Sequence, residues 1–264
     1  MRTVTWGRVT LGEGMPRIAV PVMGKELAHL AQAAARAANA RADVIELRID
    51  SLSPMPDIDA ALAACRAVRE AASHAMAASH AMAEIPLLFT LRTRRDGGPG
   101  SADIAAYEAL LCAVARAKAC EAIDCELSAG DEAFARIVSA AHEAGVSVVG
   151  SSHAFEPGTP PDTAKQWLLR QRALGADVCK AAVMASDPLH ALRLSEAMLE
   201  ASRELDAPVI AIAMGPAGTL SRVGGECLGS CLTFGTVGEA SAPGQMDAVS
   251  LRQVLEAIHS SLIK

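Results

Sequence analysis

Residues 123–183 read IDCELSAGDEAFARIVSAAHEAGVSVVGSSHAFEPGTPPDTAKQWLLRQRALGADVCKAAV. Three short apolar runs of β type, Ile123–Leu127, Val146–Gly150 and Val178–Val183, are separated by two stretches with helical spacing, Asp131–Ala144 and Asp162–Leu174. Strict alternation of strand and helix implies parallel strands, because strands running the same way need a long crossover between them. The same pattern continues in both directions. Ile18–Val22, Val44–Leu47 and Leu87–Thr90 precede this segment, and Val209–Ala213 and Cys231–Phe234 follow it, which makes eight candidate strands. Further helices are expected over Glu26–Ala38, Ile58–Ala72, Ile104–Ala119, Asp187–Arg203 and Met246–Leu262. The fourth of these follows Ser186-Asp187-Pro188, a capping residue ahead of a proline suited to the first helical position. Gly218–Cys227, between the last two strands, is too irregular to read as a regular helix.

Eight such units in about 250 residues fit a closed (β/α)8 barrel of the TIM type. A doubly wound open sheet is the alternative, but it asks for a glycine-rich fingerprint after the first strand, where Pro21–Glu26 has one glycine. Ahead of the barrel, residues 3–14 alternate (Val4, Trp6, Arg8, Thr10) and end in Gly12-Glu-Gly14, which reads as an N-terminal β-hairpin within residues 1–16. No linker interrupts the pattern, so the expectation is one domain over 1–264.

Composition narrows the function classes. Hydrophobic residues are 51% of the chain and aromatics 3%, so small aliphatic side chains must fill the core. The net charge is −6 and no basic block stands out, which argues against nucleic-acid or anionic-membrane partners. The first residues lack a signal-peptide core, and no apolar run reaches the ~18 residues that span a bilayer. The expectation is a soluble cytoplasmic protein. Its seven cysteines show neither a CxxC pair nor zinc spacing, so they are expected to be reduced core residues with no metal. Residues 72–77 and 78–83 are both Ala-Ser-His-Ala-Met-Ala. His74 and His80 are six apart and do not share a helix face, so this duplication is expected to lengthen a surface helix or loop.

Polar residues recur at the carboxyl ends of the apolar strands: Glu46 and Arg48, Arg92, Asp124 and Glu126, His153, Lys180, then Arg222 and Gln245. In a (β/α)8 barrel these ends converge on one mouth, where the fold builds its active sites. Lys180 is flanked by apolar residues on its strand. A buried ammonium either finds a partner or loses its proton, and a deprotonated amine attacks ketones. The competing reading is a lysine paired with a neighbouring carboxylate. His153 is expected at a loop start just after the fifth strand, where an imidazole can move protons in both directions.

Several segments resemble the type I 3-dehydroquinate dehydratase family, the Schiff-base class of the shikimate pathway. They are Ile18-Ala-Val-Pro21, Ala42-Asp-Val-Ile-Glu-Leu-Arg-Ile-Asp50, Phe89-Thr-Leu-Arg92 with Asp96-Gly-Gly98, and Ile123-Asp-Cys-Glu-Leu127. Ser152-His153 with Phe155 and Ala176-Asp-Val with Lys180 follow. The C-terminal run holds Met214-Gly215, Ser221-Arg222, Gly225-Glu226, Gly229-Ser230, Thr233-Phe234-Gly235 and Ser241-Ala-Pro-Gly-Gln245. The resemblance implies a homodimeric enzyme that dehydrates 3-dehydroquinate, needing no metal or cofactor. Lys180 would form the imine, His153 would act as base and acid, and Asp96 would orient it. Glu46, Arg48, Arg92, Met214, Arg222, Ser241 and Gln245 would bind substrate, with Ser241 and Gln245 in a closing loop.

Three positions depart from that pattern. The family has Glu where Asp96 stands, an acidic residue at Ala154, and often a lysine at Pro216. The shorter Asp96 is expected to alter the support of the histidine, since about 1 Å of misplacement can cost on the order of 100-fold in rate. Two rival readings remain at this point. One is a catalytically weakened paralogue that binds a shikimate-type ligand. The other is a class I aldolase, for which Gly224-Gly225 is a weak phosphate-site candidate.

Overall fold

The computed structural model describes residues 3–78, 84–238 and 240–263. After the hairpin strands β1 (Val4–Trp6) and β2 (Val9–Leu11), the alternation runs β3 (Arg17–Val22), α1 (Leu27–Asn39), β4 (Val44–Arg48), α2 (Ile58–Ala78), β5 (Leu87–Thr90) and α3 (Ile104–Arg116). It continues with β6 (Ala122–Glu126), α4 (Asp131–Ala144), β7 (Ser147–Ala154), α5 (Pro161–Ala173), β8 (Val178–Met184), α6 (Pro188–Glu204) and β9 (Val209–Met214). The short helices α7 (Thr219–Val223) and α8 (Gly225–Leu228), strand β10 (Leu232–Thr236), the two-residue strand β11 (Met246–Asp247) and α9 (Ala248–Leu262) complete the chain.

Strands β3 to β10 lie parallel in chain order, with β11 added beside β10. The sheet curls round so that β9 meets β10, completing a (β/α)8 barrel. The seam is thin: one parallel bridge joins Val209 to Ser230, and Cys231 N donates to Val209 O at 2.8 Å. Ser230 Oγ strengthens it by accepting from Ala211 N at 3.0 Å. This is where the irregular Gly218–Cys227 segment supplies two short helices in place of one long helix.

Two apolar layers hold the barrel. One lies between sheet and helices, where Leu30, Val68, Leu111, Phe134, Leu168, Leu194 and Leu251 pack on the outward strand residues. The other fills the barrel interior with Ala19, Val44, Leu88, Ala122, Val149, Val178, Ile210 and Leu232. Trp6, Val9 and Leu11 belong to that inner cluster, so the hairpin closes the amino-terminal end of the barrel like a stopper.

The hairpin exists, but its register departs from the sequence reading. Trp6 pairs with Val9, leaving Gly7-Arg8 as the turn, with Gly7 at φ 54. A two-residue hairpin favours glycine at its first central position. The alternation therefore breaks at the turn, and Arg8 is exposed while Val9 and Leu11 are buried.

The same end carries a repeated device. Asp43, Glu121 and Asp177 each stand just before a strand and accept the N–H of Ile18, Leu87 and Val148 on the preceding strand, at 2.7, 2.7 and 2.8 Å. Each carboxylate also meets a basic group, Arg252, Arg69 and His142 respectively. Edge N–H groups that would otherwise be unpaired are thus satisfied at three of the barrel's joints. Stability resides at this end and leaves the opposite end open for chemistry.

All seven cysteines are free thiols, six of them buried. Helix α2 runs beyond the expected Ala72 and takes in the first Ala-Ser-His-Ala-Met-Ala copy with His74 exposed. Most of the second copy, with His80, lies outside the described residues. Among the described residues, no helix is long and apolar enough to cross a membrane.

Candidate active site

At the carboxyl ends of the strands a cavity of about 280 Å³ opens. Glu46, Arg48, Arg92, His153, Lys180, Met214, Arg222, Ser241 and Gln245 all line it. Asp96 does not line it and stands behind His153. Every sequence-predicted site residue is therefore brought to one place, by β4, β7, β8, β9 and the loops after β5, β9 and β10.

Lys180 sits mid-strand on β8, in register with Ser151 of β7 and Ile210 of β9. Its backbone is held by Gln171 of α5, which accepts from Lys180 N at 2.9 Å and donates to Lys180 O at 3.0 Å. Gln171 reaches in because Gly150 has no side chain; a Cβ there would stand 2.8 Å from Gln171 Cβ. The amine does not meet the apolar pocket that its flanking residues implied. Its Nζ donates to Asp124 Oδ2 at 3.3 Å, lies 3.7 Å from Glu46 Oε1, and stands 4.6 Å from the centre of the Phe234 ring. The amine thus faces two carboxylates and the face of an aromatic ring.

Arg92 occupies the centre of the buried charges. Nη1 donates to Glu126 Oε1 at 2.9 Å and to Ser151 Oγ at 3.1 Å, while Nη2 lies 2.8 Å from Asp124 Oδ1, off the hydrogen-bond direction. Burial opposes ionisation of Asp124, yet Arg92 and Lys180 hold its carboxyl well below the usual range. Burial raises Glu126, with Arg92 opposing. Arg92 is thus engaged by protein carboxylates and still lines the cavity, with Nη2 left without a hydrogen-bond partner among the described residues.

His153 lies inside β7, which runs to Ala154, and not at a loop start. Its side chain is 8% exposed. Its Nδ1 lies 3.1 Å from Asp96 Oδ2 and its ring stacks beside Phe155. Burial, with Arg92 and Lys180 nearby, pushes the imidazole well below its ordinary value, so it is neutral at pH 7. Burial likewise raises Asp96.

Arg222, on α7, is 1% exposed. Nη2 donates to Pro243 O at 2.8 Å, Nε has no partner, and no ion pair forms with it among the described residues. Burial alone lowers its guanidinium to about 10. A cation buried without an anion is costly, and a bound carboxylate would relieve that cost. Pro243 belongs to the loop that carries Ser241 and Gln245, and Gln245 braces that loop by accepting from Ser241 N at 2.8 Å and donating to Ser241 Oγ at 2.9 Å. Arg48 is tied to Asp50 at 2.7 Å and still borders the cavity.

The Gly224-Gly225 pair is not at this mouth. Gly225 packs against Pro16 and Ser230, beside the hairpin end of the barrel, so it does not face a substrate held at Lys180. Sequence reasoning noticed Asp124 and Phe234 without giving either a role, and it missed Gln171 and Ser151. Asp124 had a visible signal: Ala122, Asp124 and Glu126 alternate on one strand face that also holds apolar barrel residues.

The family model for type I 3-dehydroquinase matches residues 18–261. A 3-dehydroquinate dehydratase of Bacillus licheniformis is 36% identical over 255 residues, covering 96% of each chain. One from Salmonella paratyphi B is 35% identical over 262 residues, covering 99% of this chain and all of the relative. Among solved structures, the type I 3-dehydroquinate dehydratase of Clostridium difficile with covalent modified comenic acid superposes with a TM-score of 0.85 at 34% identity, covering 98% of both chains. The Geobacillus kaustophilus 3-dehydroquinate dehydratase gives a TM-score of 0.90 at 30% identity, covering 98% of this chain and 97% of the other. With a barrel lysine, a histidine–carboxylate pair and a buried unpaired arginine around one cavity, this chain belongs to the type I 3-dehydroquinase family.

Proposed function

We propose that the chain dehydrates 3-dehydroquinate to 3-dehydroshikimate through an imine on Lys180, with His153 carrying the protons. The observation that supports this reading most is the meeting of Lys180, a neutral His153 and an unpaired Arg222 around one cavity. Arg222 receives the substrate carboxylate, which places the ring ketone toward Lys180. The amine adds to the carbonyl carbon, and loss of water leaves a protonated imine. That cation draws electrons from the adjacent carbon, so His153 can remove its proton and form an enamine. The enamine then expels the ring hydroxyl, which leaves as water with the proton that His153 returns. Hydrolysis of the imine frees the product and the lysine. The imine itself is the electron sink, so this route uses no metal and no diffusible cofactor.

Asp96 orients the imidazole. Glu46 and Arg48 face the ring hydroxyls, Met214 offers an apolar wall, and Ser241 and Gln245 close over the substrate. Arg92 acts mainly by holding Asp124 and Glu126 in place. The enzyme works as a cytoplasmic homodimer in this reading. An assay that follows the ultraviolet absorbance of dehydroshikimate tests it: the wild type turns over, Lys180→Ala does not, and Arg222→Ala raises KM. A wild-type protein that binds dehydroquinate without forming product would leave only the weakened-paralogue reading.

A further inference from the structure

We propose that Asp124 is the fixed counter-ion of the reacting nitrogen, a catalytic carboxylate that stabilises the positive charge of the protonated imine formed on Lys180 Nζ. This rests on the imine reading above. Asp124 is fully buried on β6. Its Oδ1 accepts from Ser151 Oγ at 2.6 Å and faces Arg92 Nη2 at 2.8 Å, which fixes the carboxylate plane. Oδ2 is left for Lys180 Nζ at 3.3 Å. Glu46 differs in both respects: it is farther from Nζ, at 3.7 Å, and it lines the cavity, where substrate can engage it. Asp124 is not part of the cavity lining and is fully buried behind the amine.

The proton balance shows why such a partner matters. An ammonium and a ketone give an iminium and water with no net gain or loss of protons. One ammonium proton passes to the carbonyl oxygen, by way of His153, as the C–N bond forms. The carbinolamine hydroxyl then leaves as water with a second proton, and the nitrogen lone pair closes the C=N bond. The positive charge thus returns to the same atom. It disappears while the enamine exists, when the electron pair from the broken C–H bond has reached nitrogen, and it reappears when the hydroxyl departs. The substrate supplies no anion at this point, because its carboxylate is held at Arg222. The titratable groups facing Nζ are Asp124 from β6, Glu46 from β4 and His153 from β7, with Arg92 and Arg48 behind them. From β9 and β10 the neighbouring side chains Ile210, Ile212, Met214 and Phe234 carry no titratable group.

The test is the pH profile of kcat in Asp124→Asn and Asp124→Glu, beside borohydride trapping of the wild type with dehydroquinate. Loss of the anion should move the alkaline limb of kcat to lower pH by about one to three units, and Asp124→Glu should restore its position. A packing role alone would lower kcat at every pH and leave the limb where it was, which would overturn the proposal. Should Asp124→Asn fail to fold, the crystal structure of the wild-type reduced adduct decides. Nζ within hydrogen-bond reach of Asp124 supports the proposal, and Nζ turned away from it overturns it. Absence of any wild-type adduct on Lys180 would instead remove the imine reading itself, so the two failures are distinguishable.

Discussion

One oxygen of Asp96 holds His153 at two points: Oδ2 accepts the backbone N–H of His153 at 3.1 Å and lies 3.1 Å from its Nδ1. The side chain, one methylene shorter than the family's glutamate, therefore still reaches the imidazole. Its own backbone sits in the turn Arg94–Asp96, followed by Gly97 at φ 76. The Phe155 ring fills the space where a Gly97 Cβ would stand, 2.2 Å away. The loop, the phenyl ring and the imidazole thus pack as one unit.

Removing that support should be costly. Asp96→Ala is expected to lower kcat by roughly 100-fold, the scale of a misplaced catalytic group, with a much smaller effect on KM. Steady-state kinetics would check this, and a kcat within a few-fold of wild type would mean that packing alone positions His153.

The protonation of His153 has two measurable consequences. Its pKa is depressed from 6.5 by burial, then by Arg92 and Lys180, so the acid limb of kcat/KM should fall below pH 6.5. Below pH 6.5 the unfolded chain also takes up a proton here that the folded chain refuses, so this residue lowers stability as the solution is acidified. His153→Gln should reduce that loss between pH 6.5 and 5 in denaturant titrations while turnover collapses. An acid limb centred at or above 6.5 would contradict the assignment.

Arg222 should show stability and function in opposition. Its guanidinium is buried with an unpartnered Nε, so Arg222→Met is expected to leave folding unharmed or improve it by about 1–3 kcal/mol. Substrate recognition should suffer in the same variant, with kcat/KM falling by about 2–5 kcal/mol equivalent. Thermal unfolding with and without a shikimate-type ligand reads both effects. A variant that lost stability yet bound ligand normally would reverse the account.

Gly150 and Gln171 should be coupled. Gly150→Ala drives a methyl group to 2.8 Å from Gln171 Cβ and 3.0 Å from Ala176 Cβ, so a loss of about 1–3 kcal/mol is expected. Because Gln171 clamps the Lys180 backbone, kcat should fall as well. In the Gly150→Ala, Gln171→Ala double variant the two losses should be clearly non-additive in urea unfolding. Simple additivity would separate the two residues.

The barrel was legible because its strands are apolar runs bounded by turn residues, and the mouth was legible because polar residues recur at one end of those runs. Lys180 stood out as a cation among apolar neighbours, yet the adjacent Cys179 and Ala181 face the helices, and what the amine meets comes from strands 56 and 134 residues earlier. No local pattern carries that information. Gln171 reads as the polar side of an amphipathic helix, and only the absence of a side chain at Gly150, on another element, lets it turn inward. The hairpin was misread in register because Gly7-Arg8 turns the chain within the run, so the inward positions pass from Trp6 to Val9 and Leu11 instead of continuing to Arg8 and Thr10. The seam at Val209–Ser230 depends on a single bridge and a serine hydroxyl, which leave no periodic trace.

The proposed dehydration requires a covalent bond between the substrate and one nitrogen, Lys180 Nζ. Borohydride reduction in the presence of dehydroquinate, followed by peptide mass spectrometry, should place a stable adduct on Lys180, absent in Lys180→Ala and still present, at reduced rate, in His153→Ala. Full turnover with no adduct on Lys180, or an adduct on another lysine, would contradict it.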